Sequence, residues 1–258
     1  MNTLDQQVAL ITGSARGLGK AIAIELAKDG ADIVISDISL DNTSEVVNEI
    51  KAIGRKVIAV PMDVTDKASV DHGLAQALQV FPAISILVNN AGVLNETNGE
   101  DATPAQFDQC IGVNLKGVWL VSNAIKAHLQ SQSTGKIINI ASVGARRGSA
   151  GTPIYNASKA AVISMTQAFA EELGPGNINV NAICPGFTMA SATGMFEYFI
   201  RENKMDAETF RQQILAQQHI KREQSGEDIG RAVVFLASEQ ASFISGQALN
   251  VDGGVCAN

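Results

Sequence analysis

Apolar residues in this chain gather into short runs separated by stretches of helical periodicity. Seven runs, Val8–Thr12, Ile33–Ser36, Lys56–Pro61, Ile86–Asn89, Lys136–Ile140, Ile178–Cys184 and Ala248–Val251, read as strands. They are near-continuously apolar rather than alternating, the pattern of strands buried on both faces. Helices fill the intervals. The helix carrying Tyr155 runs to about Leu173 and stops at Gly174-Pro175, with Ala161, Met165, Ala168 and Phe169 at core-facing spacing. One connection is too long to be a plain loop: the stretch from Pro185-Gly186 to Gly226 must carry its own helices. Met189, Met195, Phe196, Tyr198 and Phe199 give it apolar and aromatic surface, a second helix spans Asp206 to Gln218, and residues 187–225 together read as a substrate lid. Strand and helix alternate without a Pro/Gly/Ser-rich linker, so residues 1–258 are expected to form one α/β domain, a doubly wound, seven-stranded parallel sheet with helices on both faces.

Composition agrees with that expectation. A 46% hydrophobic fraction suits a sheet covered on both sides. Nineteen Lys plus Arg against 26 Asp plus Glu give a net charge of −7 with no long basic run, which argues against a nucleic-acid partner. The N-terminus has no cationic start and no long apolar core, and no stretch reaches the roughly 18 apolar residues of a membrane span. A soluble, cytoplasmic chain is expected, with no membrane partner. Cys110, Cys184 and Cys256 are odd in number and form no C-x-x-C, as befits reduced thiols. His72, His128 and His219 show no ligand spacing, so no metal is expected in the chemistry.

The candidate chemistry begins at Thr12-Gly-Ser-Ala-Arg-Gly-Leu-Gly19, between the first strand and the first helix. Gly13, Gly17 and Gly19 permit a tight turn, and the helix N-terminus behind them offers unpaired N–H groups to a pyrophosphate. Their spacing, G-x-x-x-G-x-G, departs from G-x-G-x-x-G, so a dinucleotide is inferred from the residues beyond the loop more than from the loop itself. Asp37 ends the second strand twenty residues beyond Gly17, where an acceptor for the adenosine ribose hydroxyls belongs, and its charge would repel the extra phosphate of NADP. It could instead cap a helix beginning near Asp41. Arg16 points the other way, since a cation in the loop could hold that phosphate. Further on, Tyr155 and Lys159 stand four residues apart on one helical face, where the ammonium would lower the phenol's pKa toward a working range. Ser142 lies thirteen residues upstream, and Arg146 and Arg147 in the intervening loop could meet an anionic substrate.

These features, with Asp63-Val64, Asn89-Asn90-Ala91-Gly92, Asn114, Pro185-Gly186 with Thr188, and Val251-Asp-Gly-Gly254, resemble the classical short-chain dehydrogenase/reductase family over nearly the whole chain. The resemblance implies a Rossmann fold and an intact enzyme. It implies that Tyr155 is the general acid-base, that Lys159 lowers its pKa and holds the nicotinamide ribose, that Ser142 bonds the substrate oxygen, and that Asn114 anchors a proton-conducting water. It assigns NAD to Gly13, Arg16, Gly17, Leu18, Gly19, Asp37, Ile38, Asp63, Val64, Asn90, Ala91, Gly92, Tyr155, Lys159, Pro185, Gly186 and Thr188. It further suggests a homotetramer and, from Cys184-Pro-Gly186 followed by Met195-Phe196, a polyol or small vicinal diol as substrate. The expected activity is hydride transfer between NAD and a secondary alcohol or ketone. An NADPH-dependent ketoreductase acting on a 3-oxoacyl or steroid-like substrate, or a dinucleotide-sensing binding protein without turnover, remain the alternatives.

Overall fold

A computed structural model describes residues 3–94, 102–188 and 195–256. Seven parallel strands form one sheet in the order β3-β2-β1-β4-β5-β6-β7. The strands are β1 (Val8–Thr12), β2 (Asp32–Asp37), β3 (Val57–Pro61), β4 (Ile86–Asn89), β5 (Gly135–Ile140), β6 (Ile178–Pro185) and β7 (Ala248–Val251). The helices are α1 (Gly17–Lys28), α2 (Ser44–Ala52), α3 (Lys67–Val80), α4 (Pro104–Ile111), α5 (Gly117–Gln132), α6 (Pro153–Leu173), α7 (Met195–Asn203), α8 (Ala207–Gln217) and α9 (Gly226–Ala237).

Successive strand residues point to opposite faces, and the two faces carry separate cores. Ala9, Ile11, Ile33, Ile35, Ile86, Val88 and Ile138 pack with Ile22 and Leu26 of α1 and Ile229 and Val233 of α9. Val8, Leu10, Val34, Leu87, Ile137 and Val180 pack with Leu74 of α3, Leu120 and Ile125 of α5 and Phe169 of α6. The doubly wound expectation therefore holds, and every strand lies within one or two residues of its predicted span. The order reverses between β1 and β4, and at that switch point the chain leaves β1 for the helix layer on one face and β4 for the layer on the other, which opens a crevice at their C-terminal ends.

Three expectations need correction. Helix α2 begins at Ser44, not near Asp41, because Asp41 is held in the preceding loop by Ser39, whose hydroxyl donates to it at 2.8 Å. The buried stripe of α6 is Val162, Thr166, Phe169 and Leu173, and Ala168 is exposed. A polar residue takes the core position because Thr166 is satisfied there, accepting from Asn139 Nδ2 at 2.9 Å and donating to the Val162 carbonyl at 2.8 Å. The second lid helix spans Ala207–Gln217, with Asp206 outside it as the cap that accepts from the Thr209 backbone N–H. Met189 lies outside the described residues.

The helix entered at Pro104 continues to Gln132, but Gly112–Lys116 is a π-helical segment between α4 and α5. Asn114 sits inside it, fully buried. Its side chain exchanges two hydrogen bonds with the Val93 backbone, Oδ1 accepting from N–H at 2.8 Å and Nδ2 donating to the carbonyl at 2.9 Å. Such widened turns recur at functional sites.

Candidate active site

The crevice is a cleft of about 420 Å³. At one end stands the glycine loop. Gly13 and Gly17 hold φ of +62° and +57°, a region open to glycine at little cost. A Cβ on Gly13 would stand 2.8 Å from Ala91 Cα, and one on Gly19 would overlap the Gly13 carbonyl and come within 2.5 Å of Asn90 Nδ2. Asn90 fastens this loop across the switch point: its Nδ2 donates to the carbonyls of Thr12 (2.9 Å) and Gly13 (2.8 Å), while Thr12 Oγ1 accepts from the N–H groups of Asn90 and Ala91. The N-terminus of α1 opens directly from the loop with no side-chain cap and no acidic residue in its first turn, which suits an anion.

Asp37 closes β2 beside the loop. Oδ2 accepts from the Ala15 N–H at 3.0 Å and Oδ1 from the Ile38 N–H at 2.9 Å. It does not cap α2, and the carboxylate retains further acceptor capacity on a residue that lines the cleft. Arg16, also on the lining, is exposed. Asp63 and Val64 lie on the facing wall, where Asp63 Oδ1 accepts from the N–H (2.8 Å) and hydroxyl (2.7 Å) of Thr65. A glycine cradle, an uncapped helix N-terminus and a carboxylate at the end of β2 fit a nicotinamide dinucleotide.

At the other end are Ser142, Tyr155 and Lys159. Pro153 starts α6 with its fixed φ, so Tyr155 occupies the first helical turn and Lys159 the next. Ser142 leaves β5 in extended backbone, and its Oγ accepts from the Gly144 N–H at 3.0 Å. It is thus also the turn residue its place after β5 suggests. Lys159 Nζ donates to the Ile140 carbonyl at 2.7 Å and lies 5.8 Å from the centre of the Tyr155 ring. Gly92 faces both Lys159 Nζ and Asn114 Oδ1, each 3.4 Å from where a Cβ would be.

Electrostatics here depart from expectation. Burial pushes the Tyr155 phenol up to about 12, with the Ser142 hydroxyl pulling the other way. Burial also draws the Lys159 ammonium down to about 8. In the protein alone, desolvation outweighs any lowering of the phenol by Lys159, because burial penalises the charged form of each group.

All seventeen residues assigned to the cofactor line this one cleft, with Ser142 among them. Asn114 does not; it stands behind the wall and braces Val93. Arg146 turns to the edge strand, its Nη2 donating to the Ala248 carbonyl at 2.6 Å, and neither it nor Arg147 lines the cleft. Sequence reasoning missed Met62, Val93, Leu94, Val113, Ile140 and Ala141 on the lining. Four of them extend motifs already singled out, since Val93-Leu94 follow Gly92 and Ile140-Ala141 precede Ser142 at a strand's carboxyl end. Among the described residues no cluster of three His, Cys, Asp or Glu could hold a metal ion.

Comparison with known proteins places this geometry among oxidoreductases. A family model described as enoyl-(acyl carrier protein) reductase matches residues 13–256. A 3-oxoacyl-[acyl-carrier-protein] reductase of Thermotoga maritima is 34% identical, with 98% of each chain covered. Sorbitol dehydrogenase of Cereibacter sphaeroides is 37% identical over 97% of this chain and 98% of its own. The solved structure of carveol dehydrogenase from Mycobacterium avium in complex with NAD matches with a TM-score of 0.94 at 28% identity, covering both chains in full.

Proposed function

The chain belongs to the short-chain dehydrogenase/reductase family, and on that premise we propose that it is an NAD-dependent dehydrogenase oxidising a secondary alcohol of the polyol or small-diol class. The family makes it an oxidoreductase acting on CH–OH groups; the acceptor and the substrate class are the reading advanced here. The observation that carries this reading is the placement of Asp37 at one end of the cleft and Ser142, Tyr155 and Lys159 at the other. When bound, the nicotinamide supplies the hydride acceptor. Tyr155 takes the hydroxyl proton of the alcohol, and the first turn of α6 favours the phenolate through its positive dipole end. Ser142 holds the substrate oxygen and stabilises charge there. Lys159, fixed on the Ile140 carbonyl, holds the nicotinamide ribose and passes protons outward along the side guarded by Asn114. The likeness to sorbitol dehydrogenase supports the polyol, and the likeness to an NAD complex supports the acceptor.

A second reading, NADPH-dependent reduction of an acyl-thioester ketone, is favoured by Arg16 and by the likeness to the 3-oxoacyl reductase. A screen following NAD reduction across polyols, diols and hydroxysteroids separates the two. Turnover of a polyol with NAD supports the first reading, and activity confined to NADPH with ketones overturns it.

Because oxidation requires the phenolate, its kcat/KM rises with pH. Ser142 pulls the phenol down, so Ser142→Ala should lower the rate and also move the rising limb to higher pH by roughly one to two units, the worth of a hydrogen bond to a charged group. An unmoved limb in the pH profile would count against the Ser142 contact.

Assembly is proposed to be a homotetramer in the cytosol. Large apolar side chains stand exposed on two surfaces, Phe107 and Trp119 on α4 and α5, and Phe235 and Leu249 on α9 and β7, candidates for burial between copies. Sedimentation equilibrium should give four times the 27.1 kDa chain mass; a stable monomer at assay concentration would refute it. Among the described residues no helix is long and apolar enough to cross a membrane. Helices α7 and α8 are assigned the role of substrate lid.

A further inference from the structure

Helix α7 touches two segments that neighbour the cleft lining. On one side, Phe187 stands between Gly186 and Thr188 of the cleft wall, and its ring lies 5.3 Å from Phe210 of α8 and 5.8 Å from Phe199 of α7, edge to face in both cases. Phe196 completes the group at 5.7 Å from Phe210. Edge-to-face aromatic contacts of this kind fix geometry as well as burying area. On the other side, Tyr198 is 2% exposed and its hydroxyl donates to the Gly151 carbonyl at 3.0 Å. Gly151 belongs to the loop that begins after Ser142 and ends at Pro153, two residues before Tyr155.

We propose that Tyr198 is a positioning residue for the substrate: through Gly151 it joins α7 to the loop between Ser142 and Tyr155 and sets the opening by which the alcohol reaches them. The inference rests on the dehydrogenase reading above. A buried phenol finds a partner for its hydroxyl, and here the Tyr198 hydroxyl donates to the loop that joins two proposed catalytic side chains. The adenosine end of the cleft, at the glycine loop and Asp37, lies outside this join. The glycine loop is fastened by Asn90 and Thr12, and Asp37 by Ala15 and Ile38. Substrate affinity should therefore depend on Tyr198 while NAD affinity does not.

Tyr198→Phe keeps the ring in the aromatic group and removes only the donor. The expected result is a KM for the best alcohol raised about fivefold, within the range that loss of one neutral hydrogen bond allows. The same variant should change kcat by less than about twofold and leave the NAD dissociation constant, read by calorimetric titration, unaltered. Amide hydrogen exchange across residues 146–152 should quicken. An unchanged KM overturns the inference, and so does a KM that rises together with the NAD dissociation constant, which would indicate general loosening. If the unaltered enzyme oxidises no alcohol, the dehydrogenase reading fails by itself. The exchange comparison then still decides the join, because unchanged protection at residues 149–152 refutes it.

Discussion

Tyr155→Phe is expected to fold, bind NAD and lose about 10²–10⁴-fold in turnover, the contribution of a positioned acid-base group. The substitution removes one oxygen from a residue whose ring and helix stay in place, so melting temperature and NAD affinity serve as controls. Near-normal turnover would sink the proposed mechanism. Lys159→Ala should also be severe, for a reason the structure sharpens. The ammonium is buried and held by the Ile140 carbonyl, so the substitution removes a charge and leaves a buried carbonyl without its donor. The proposed proton path and ribose contact would be lost together. Since both residues act on one proton, the double variant should be scarcely slower than the worse of the two single variants. Additive losses would mean that they act independently.

Asp37→Ser is expected to shrink or invert a preference for NAD over NADP of at least roughly tenfold in kcat/KM. A charge-assisted hydrogen bond from a ribose hydroxyl is worth about 1.5–3 kcal/mol, while about 1.4 kcal/mol already gives tenfold. Arg16 opposes this, but it is exposed, and solvent screening limits what an exposed cation contributes. Serine keeps a hydroxyl that can accept from Ala15 N–H and removes the charge, after which Arg16 is free to meet the phosphate. An unaltered enzyme that favours NADP, or an unchanged ratio in the variant, would remove Asp37 from the ribose.

The sheet was legible because its strands are buried on both sides and so appear as uninterrupted apolar runs such as Ala9–Ile11 and Ile33–Ile35. The residues lining the cleft were legible because they cluster at the carboxyl ends of those runs, where an open α/β sheet binds its ligand. What escaped depends on pairings that no single stretch of sequence contains. Thr166 in place of Ala168 on the buried face of α6 reflects Asn139, 27 residues away. The bracing of Val93 by Asn114 crosses 21 residues. The start of α2 at Ser44 rather than near Asp41 turned on a local bond between Ser39 and Asp41 that holds the preceding loop. The upward push on Tyr155 arises from desolvation by burial, which the i, i+4 spacing of a tyrosine and a lysine does not encode.

The bonds by which Asn90 and Thr12 fasten the glycine loop to the end of β4 divide labour within the molecule. The crevice for the nucleotide is assembled from main chain and sheet, so its ordering is complete once the sheet has folded and little entropy remains to be lost when a ligand arrives. Helices α7 and α8, proposed to bound the alcohol side, are joined through aromatic rings and the Tyr198 phenol, contacts that side-chain exchange can redraw without disturbing a strand. Substrate choice can therefore drift while the redox partner stays fixed, and a scaffold organised in this way can found many dehydrogenases without rebuilding its nucleotide crevice.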